Sequence, residues 1–140
     1  MGLARGLFSW CTDRPRPIKG CMLEASQMLL LEPSVIKHIE SHRQLVFAAK
    51  EAGGQLFGVV SEELVRVVRA TGPYRGDERG RYFYRSNPVA AQNAIEKQSK
   101  SGLLYLGEWH TRSLSIKMSL LLHHSSGIFS YLPHSASLVC

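Results

Sequence analysis

From Arg112 to the last residue, Cys140, the chain has no aspartate or glutamate, although eight serines and six leucines fall there. A stretch without carboxylates can supply neither an acidic metal ligand nor an acidic general base, so such groups must come from upstream. Cysteine is scarce too. Cys11, Cys21 and Cys140 form no Cys-x-x-Cys pair, and three scattered thiols fit a reducing cytosol better than a disulfide framework. No apolar run approaches the ~20 residues of a membrane span, and the amino-terminal run is too short for a secretory signal. Gly2 suggests myristoylation, but position 6 is Gly rather than Ser or Thr. These absences predict a cytoplasmic chain without a membrane partner.

What is present has the balance of one globular domain: 140 residues, 44% hydrophobic and 20% charged. The formal charge of +6 is dispersed, which by itself does not declare a nucleic-acid binder. Residues 1–25, with Arg14-Pro15-Arg16-Pro17, show no sustained period and read as an arm. Residues 27–31 suit a strand. Pro33 then sits where a first helical turn tolerates it, with Val35, Ile36, Ile39 and His42 following at helical spacing. Gly53-Gly54 is read as a break, 55–60 as a buried strand, and 64–70 as a second, antiparallel strand after a turn at Ser61-Glu62.

Residues 71–80 form a loop, and 81–85 alternate as a third strand. Asn87-Pro88 starts a helix, because Asn caps free amides and Pro loses nothing at the first position; Gly102 ends it. Residues 103–109 are then a buried strand that delivers His110 at its end. The order of strand, helix, three strands, helix and strand predicts an α+β chain.

Two segments carry chemistry. One is Glu51-Ala52-Gly53-Gly54-Gln55-Leu56-Phe57-Gly58, an acid leading into a glycine-rich strand; the other is Leu106-Gly107-Glu108-Trp109-His110-Thr111-Arg112. Their order and separation resemble the JAMM (JAB/MPN, Mov34-type) zinc metallopeptidases, whose pattern is a distant Glu, then His-x-His, then Ser and Asp. The resemblance covers about residues 26–111 and is of the compact prokaryotic kind, similar to the deconjugating peptidases of cyclic-oligonucleotide anti-phage operons.

The resemblance implies a curved mixed sheet flanked by helices, with cytidine-deaminase-like layering, here incomplete at the carboxyl end. It implies Glu51 as the catalytic base, His110 as a ligand of one zinc ion, and a protein or peptide substrate such as a ubiquitin-like conjugate cut at an isopeptide or peptide bond. In such sites the metal brings the pKa of bound water from ~15.7 towards ~7, and the carboxylate moves its proton.

The chain departs from that pattern at Arg112, where the second His belongs. A guanidinium has no lone pair to donate and stays protonated. No Asp follows, and His123, His124 and His134 have no Ser-x-x-Asp beside them, so they read as incidental residues. The expected organisation is an arm (1–25), a JAMM-like core (26–111) and a Ser/Leu-rich tail (112–140) outside the family pattern, packing poorly and without strand alternation.

A frameshift after Thr111 would explain the tail, since Leu120-Leu121-Leu122-His123-His124 fits codons that read Ser-Ser-Ser-Ile one base away. Weak zinc binding and impaired hydrolysis follow, and a non-catalytic interaction module is the alternative. Arg75, Arg79, Arg81 and Arg85 around Tyr82, Phe83 and Tyr84 could bind single-stranded nucleic acid. Strand alternation favours instead a solvated edge strand with an aromatic inner side.

Overall fold

The computed structural model describes residues 16–21, 27–112, 115–122, 125–131 and 138–139. Strands β1 (Ile18–Cys21) and β2 (Met28–Leu31) precede helix α1 (Pro33–Glu40), then come β3 (Gly53–Val60) and β4 (Leu64–Ala70). A short ribbon, β5 (Glu78–Arg79) and β6 (Tyr84–Arg85), leads to helix α2 (Pro88–Lys100). The chain continues through β7 (Leu104–Arg112), β8 (Ser115–Leu122), β9 (Ser125–Tyr131) and β10 (Leu138–Val139).

Among the described residues the main sheet has eight strands in the order β1-β2-β4-β3-β7-β8-β9-β10, and β5-β6 stands apart. Only β2 and β4 run parallel, so the sheet is mixed. It curls until β1 and β10 approach each other. The fold is α+β, as expected.

Each helix follows from local signals. In α1, Pro33 opens the helix and Val35, Ile36 and Ile39 turn inward at helical spacing. They join Leu29, Leu31, Val65, Val67, Leu56, Leu106 and Trp109 in the core on one face of the sheet. In α2 the Asn87 side chain accepts hydrogen bonds from the amides of Val89 and Ala90, and Gly102 beyond the helix has φ +79°. This helix lies on the opposite face, where Gln98 accepts a 2.8 Å bond from Arg69, the cross-strand partner of Phe57.

Several expectations are corrected. Gly53-Gly54 does not break the chain: both lie inside β3, because a Cβ at Gly54 would fall 1.7 Å from the Thr71 carbonyl oxygen, and only glycine allows that approach. The strand expected over 81–85 shrinks to Tyr84–Arg85; Phe83 is exposed, on the arginine side as expected, but Tyr82, expected on the inner side with Tyr84, is exposed too. Ile18–Cys21, within the segment expected as an arm, pairs with β2.

The loss of alternation expected after Arg112 does not hold at 115–121. There Ile116, Met118 and Leu120 are buried on the core face, and β8 pairs in continuous register with β7. Hydrophobic burial at every second residue gives this strand the same warrant as any upstream. His123, His124 and His134 lie outside the described residues.

Candidate active site

Strand β3 pairs with β7 so that Gly53 stands opposite His110. One step beyond, Ala52 and Thr111 continue the ladder: the Thr111 amide donates to the Ala52 carbonyl at 2.8 Å, and the Ala52 amide donates to the Thr111 hydroxyl at 3.0 Å. The next pair in that register is Glu51 with Arg112. Alternation puts Gly53 of β3 and His110 and Arg112 of β7 on the same face of the sheet. Glu51 lies two residues before β3 begins, and carrying the register on past the Ala52–Thr111 bonds brings it to that face, diagonal to His110. Strand β7 does not end at His110 as expected but runs on to Arg112, which fixes the orientation of both side chains.

The third strand of the site is β8. Lys117 lies directly opposite His110, and Ser115 opposite Arg112. The face therefore carries an imidazole, two cations and, besides Glu51, the exposed carboxylate of Glu108 two residues before His110. Lys117 escaped the sequence reading; its signal was the Ile116-Lys117-Met118-Ser119-Leu120 alternation.

The backbone of Glu51 is held from both sides. Its amide donates to the Gly80 carbonyl at 2.7 Å, and Arg79 Nε donates to its carbonyl at 2.6 Å. The loop that makes these bonds is itself braced by Asp77, whose carboxylate accepts from the Tyr74 amide, the Asn87 amide and the Tyr84 hydroxyl. Tyr84 in turn lies over Gly53, with ring atoms 2.5 Å from where a Cβ would stand. The bare backbone opposite His110 is thus roofed by an aromatic ring, which a larger residue at 53 would displace.

Glu51 is only 3% exposed, and its Oε1 finds no hydrogen-bond partner among the described residues. Burial raises its pKa above the ordinary carboxylate value; Arg112 and then Lys117 oppose that rise. Burial lowers the pKa of His110, and Lys117 and Arg112 lower it further. The arrangement favours a neutral imidazole beside a carboxyl group that holds its proton more tightly than usual. A carboxyl whose pKa is raised in this way is a better proton acceptor than an ordinary one.

The donor set does not fit a zinc ion. A catalytic zinc needs three protein ligands, whereas the imidazole of His110 and the carboxylates of Glu51 and Glu108 do not gather into such a set among the described residues, and Arg112 and Lys117 bring positive charge to the same place. No group of three or more His, Cys, Asp or Glu side chains is placed to hold a metal among the described residues.

Behind the site, on the core face, Trp109 is buried and its indole N–H donates to the Thr71 carbonyl at 3.0 Å. His42 stacks on it with centroids 6.0 Å apart, and His38 meets it edge-on at 5.7 Å while bonding the Gly72 carbonyl at 2.7 Å. This cluster fastens α1 and the 71–73 loop to the strand that carries His110. Beside it an apolar ridge of Leu45, Val46 and Phe47 is exposed, Phe47 to 79%, and the Arg81 guanidinium lies 3.4 Å above the Phe47 ring. The ridge was not foreseen, for a three-residue apolar run carries no sign of which side it faces.

No helix among the described residues is long and apolar enough to cross a membrane. No family model matches the chain. It is similar to the CD-NTase/cGAS isopeptidase of Escherichia coli (strain TW11681), 28% identical over 86 residues, a match that covers 59% of this chain and 55% of the relative. The chain thus spans about half the length of the curated relative it matches, and its relationship is to a protein named an isopeptidase.

Proposed function

We propose that this chain is a JAMM-type peptidase or isopeptidase by descent, directed at a protein or peptide tail in the cytoplasm, whose hydrolysis is impaired as the chain stands. The observation that supports the reading is the β3–β7 register, in which Gly53 stands opposite His110 and Ala52 bonds Thr111, so that the chain leading to Glu51 runs alongside the end of β7. The likeness to a protein named an isopeptidase supports it independently. A ubiquitin-like conjugate is the substrate class proposed. Zinc is the cofactor of the ancestral site, with His110 as the surviving ligand and Glu51 as the surviving base. The departure of residues 112–140 from the family pattern is proposed to come from a shifted reading frame, which the nucleotide sequence tests directly: no neighbouring frame encoding His followed by Ser-x-x-Asp would end that idea.

The purified chain should hold far less than one zinc per molecule by plasma mass spectrometry and should not cleave an isopeptide-linked fluorogenic peptide. A chain with its frame restored after Thr111 should gain both, and Glu51→Gln in that chain should keep the metal while losing turnover. Chelator-sensitive turnover by the original chain would overturn the impaired reading, and a restored chain that binds zinc but never hydrolyses would overturn the peptidase reading.

A second reading, a non-catalytic interaction module, is favoured by one observation: Arg112 and Lys117 occupy the very face where ligands would be needed. Partner binding that persists in Glu51→Gln and in chelator would support it.

A further inference from the structure

The loop that carries Arg79 to Arg85 does more than hold the backbone of Glu51. It meets the 44–50 segment, where Gln44 Nε2 donates to the Ala49 and Arg81 carbonyls, each at 3.0 Å. The Gly80 amide donates to the Phe83 carbonyl at 2.9 Å, which leaves Arg81 and Tyr82 at the tip of the loop. Phe83 lies against the bare backbone of Gly80, where any side chain would meet its ring. The Arg81 guanidinium stands 3.4 Å from the Phe47 ring centroid and 5.2 Å from that of Tyr82, and its Nε donates to the Tyr82 hydroxyl at 2.7 Å.

Three rings are thus presented together, with a cation between two of them. Phe47 is 79% exposed, Tyr82 66% and Phe83 56%, so burial in the core accounts for none of them. The edge-strand reading of this motif needs an inner aromatic side, and the exposure of Tyr82 removes it. A lone exposed ring is ordinary, whereas a cluster joined through a guanidinium is the mark of a surface that binds something.

Charge decides what that surface takes. Residues 41–50 and 79–85 hold Arg43, Lys50, Arg79, Arg81 and Arg85 and no Asp or Glu. Of the bordering carboxylates, Glu51 is buried and Asp77 accepts from Tyr74, Asn87 and Tyr84. Glu78 pairs with Arg85, and Glu40 is half-buried at the end of α1. The complementary occupant is anionic and has flat faces to lay on the rings. A duplex is anionic but keeps its base faces stacked inside, and an acidic polypeptide brings carboxylates with few flat faces. A single strand of nucleic acid offers both groups at every nucleotide.

We infer that Phe47, Tyr82 and Phe83 stack the bases of single-stranded nucleic acid, with Arg81 and Lys50 meeting its phosphates. One base per ring makes a footprint of about three nucleotides. Stacking and phosphate contact do not read the 2′-hydroxyl, so ribo- and deoxyribo-strands are bound alike. This binding stands apart from hydrolysis at Glu51 and His110.

The test titrates the full chain into fluorescein-labelled oligothymidylate and oligouridylate of about twelve nucleotides, followed by anisotropy in EDTA. Both should bind, within about threefold of each other, and a duplex of matching length should bind about tenfold more weakly. Phe47→Ala and Tyr82→Ala, each melting like the parent, should each weaken the single strands about tenfold, and Tyr82→Phe should retain binding. Log affinity should fall against log salt with a slope of about −1 to −2, and Arg81→Ala should flatten it by about 0.7. Lys97→Ala, on α2, should change nothing. Ring variants that bind as before, a duplex that binds as tightly as the single strand, or equal weakening by Lys97→Ala would each overturn the inference. So would a strict need for the 2′-hydroxyl, or no binding of either strand at ~100 μM protein. Polyglutamate binding as tightly as the strands would overturn it too, and would assign the surface to an acidic polypeptide.

Discussion

Replacing Glu51 by Gln should make the protein more stable at neutral pH. The carboxylate is buried, and one oxygen has no donor among the described residues. Burial lifts its pKa above the ordinary 4.5, and the opposing pull of Arg112 and Lys117 does not cancel the lift. A raised folded-state pKa means that the folded chain holds this proton more tightly than the unfolded chain. Its stabilising contribution is thus full below the unfolded value and is lost as pH rises through the folded one.

At pH 7 the group is a net cost. The cost is that of burying a negative charge, which the two cations only partly offset, leaving a net of ~1 kcal/mol. Glutamine keeps the shape and removes the charge, so Glu51→Gln should gain about 1 kcal/mol at pH 7, or ~3–5 °C in Tm for a domain of this size. The gain should vanish near about pH 4, where the native carboxyl is itself protonated. Circular-dichroism melts at the two pH values read this directly.

Arg112→Ala should destabilise the parent at pH 7 by up to about 1 kcal/mol and the Glu51→Gln background by less, a coupling that a double-mutant cycle isolates. A Glu51→Gln protein that melts lower at pH 7, or differs from the parent equally at both pH values, would refute the account of Glu51 as a strained, functionally retained carboxyl.

Other outcomes are expected from the surrounding structure. Trp109→Ala should cost about 3–5 kcal/mol in urea unfolding, since it empties a buried indole site and leaves the Thr71 carbonyl without its donor. His42 and His110 should both titrate below the ordinary 6.5 when followed by NMR of their ring protons. Because their folded pKa values are depressed, the stability they carry is present above pH 6.5 and lost as pH falls through the folded values, so His42→Gln should flatten that acid limb. Gly54→Ala should prevent folding, as its methyl would sit 1.7 Å from the Thr71 carbonyl oxygen, whereas Gly102→Ala meets open space and should cost only about 1 kcal/mol for its left-handed backbone. Equal melting points for those two glycine variants would contradict the packing described for β3.

What could be read from the sequence was local. Asn87-Pro88 announced α2 because a cap needs only its own side chain and the next two amides, and both bonds form. The inward stripe of Val35, Ile36 and Ile39 and the strands at 55–60 and 64–70 were likewise legible, since their periods repeat within a few residues. Pairing Glu51 with His110 came from resemblance, since nothing local in either segment points to the other.

Tertiary structure decided the rest. Lys117 faces His110 only because of the β7–β8 register, and a one-residue slip would have sent it to the core. Tyr82 and Phe83 point to solvent because the ribbon they belong to never joins the main sheet, where alternation would have hidden one of them. Composition gave residues 112–140 the look of a loose tail, yet at 115–121 alternate apolar residues found an open strand edge to pair with and a core to fill. Periodicity belongs to a segment, but which face is buried depends on the neighbour it meets, and distant parts of the chain supply that neighbour.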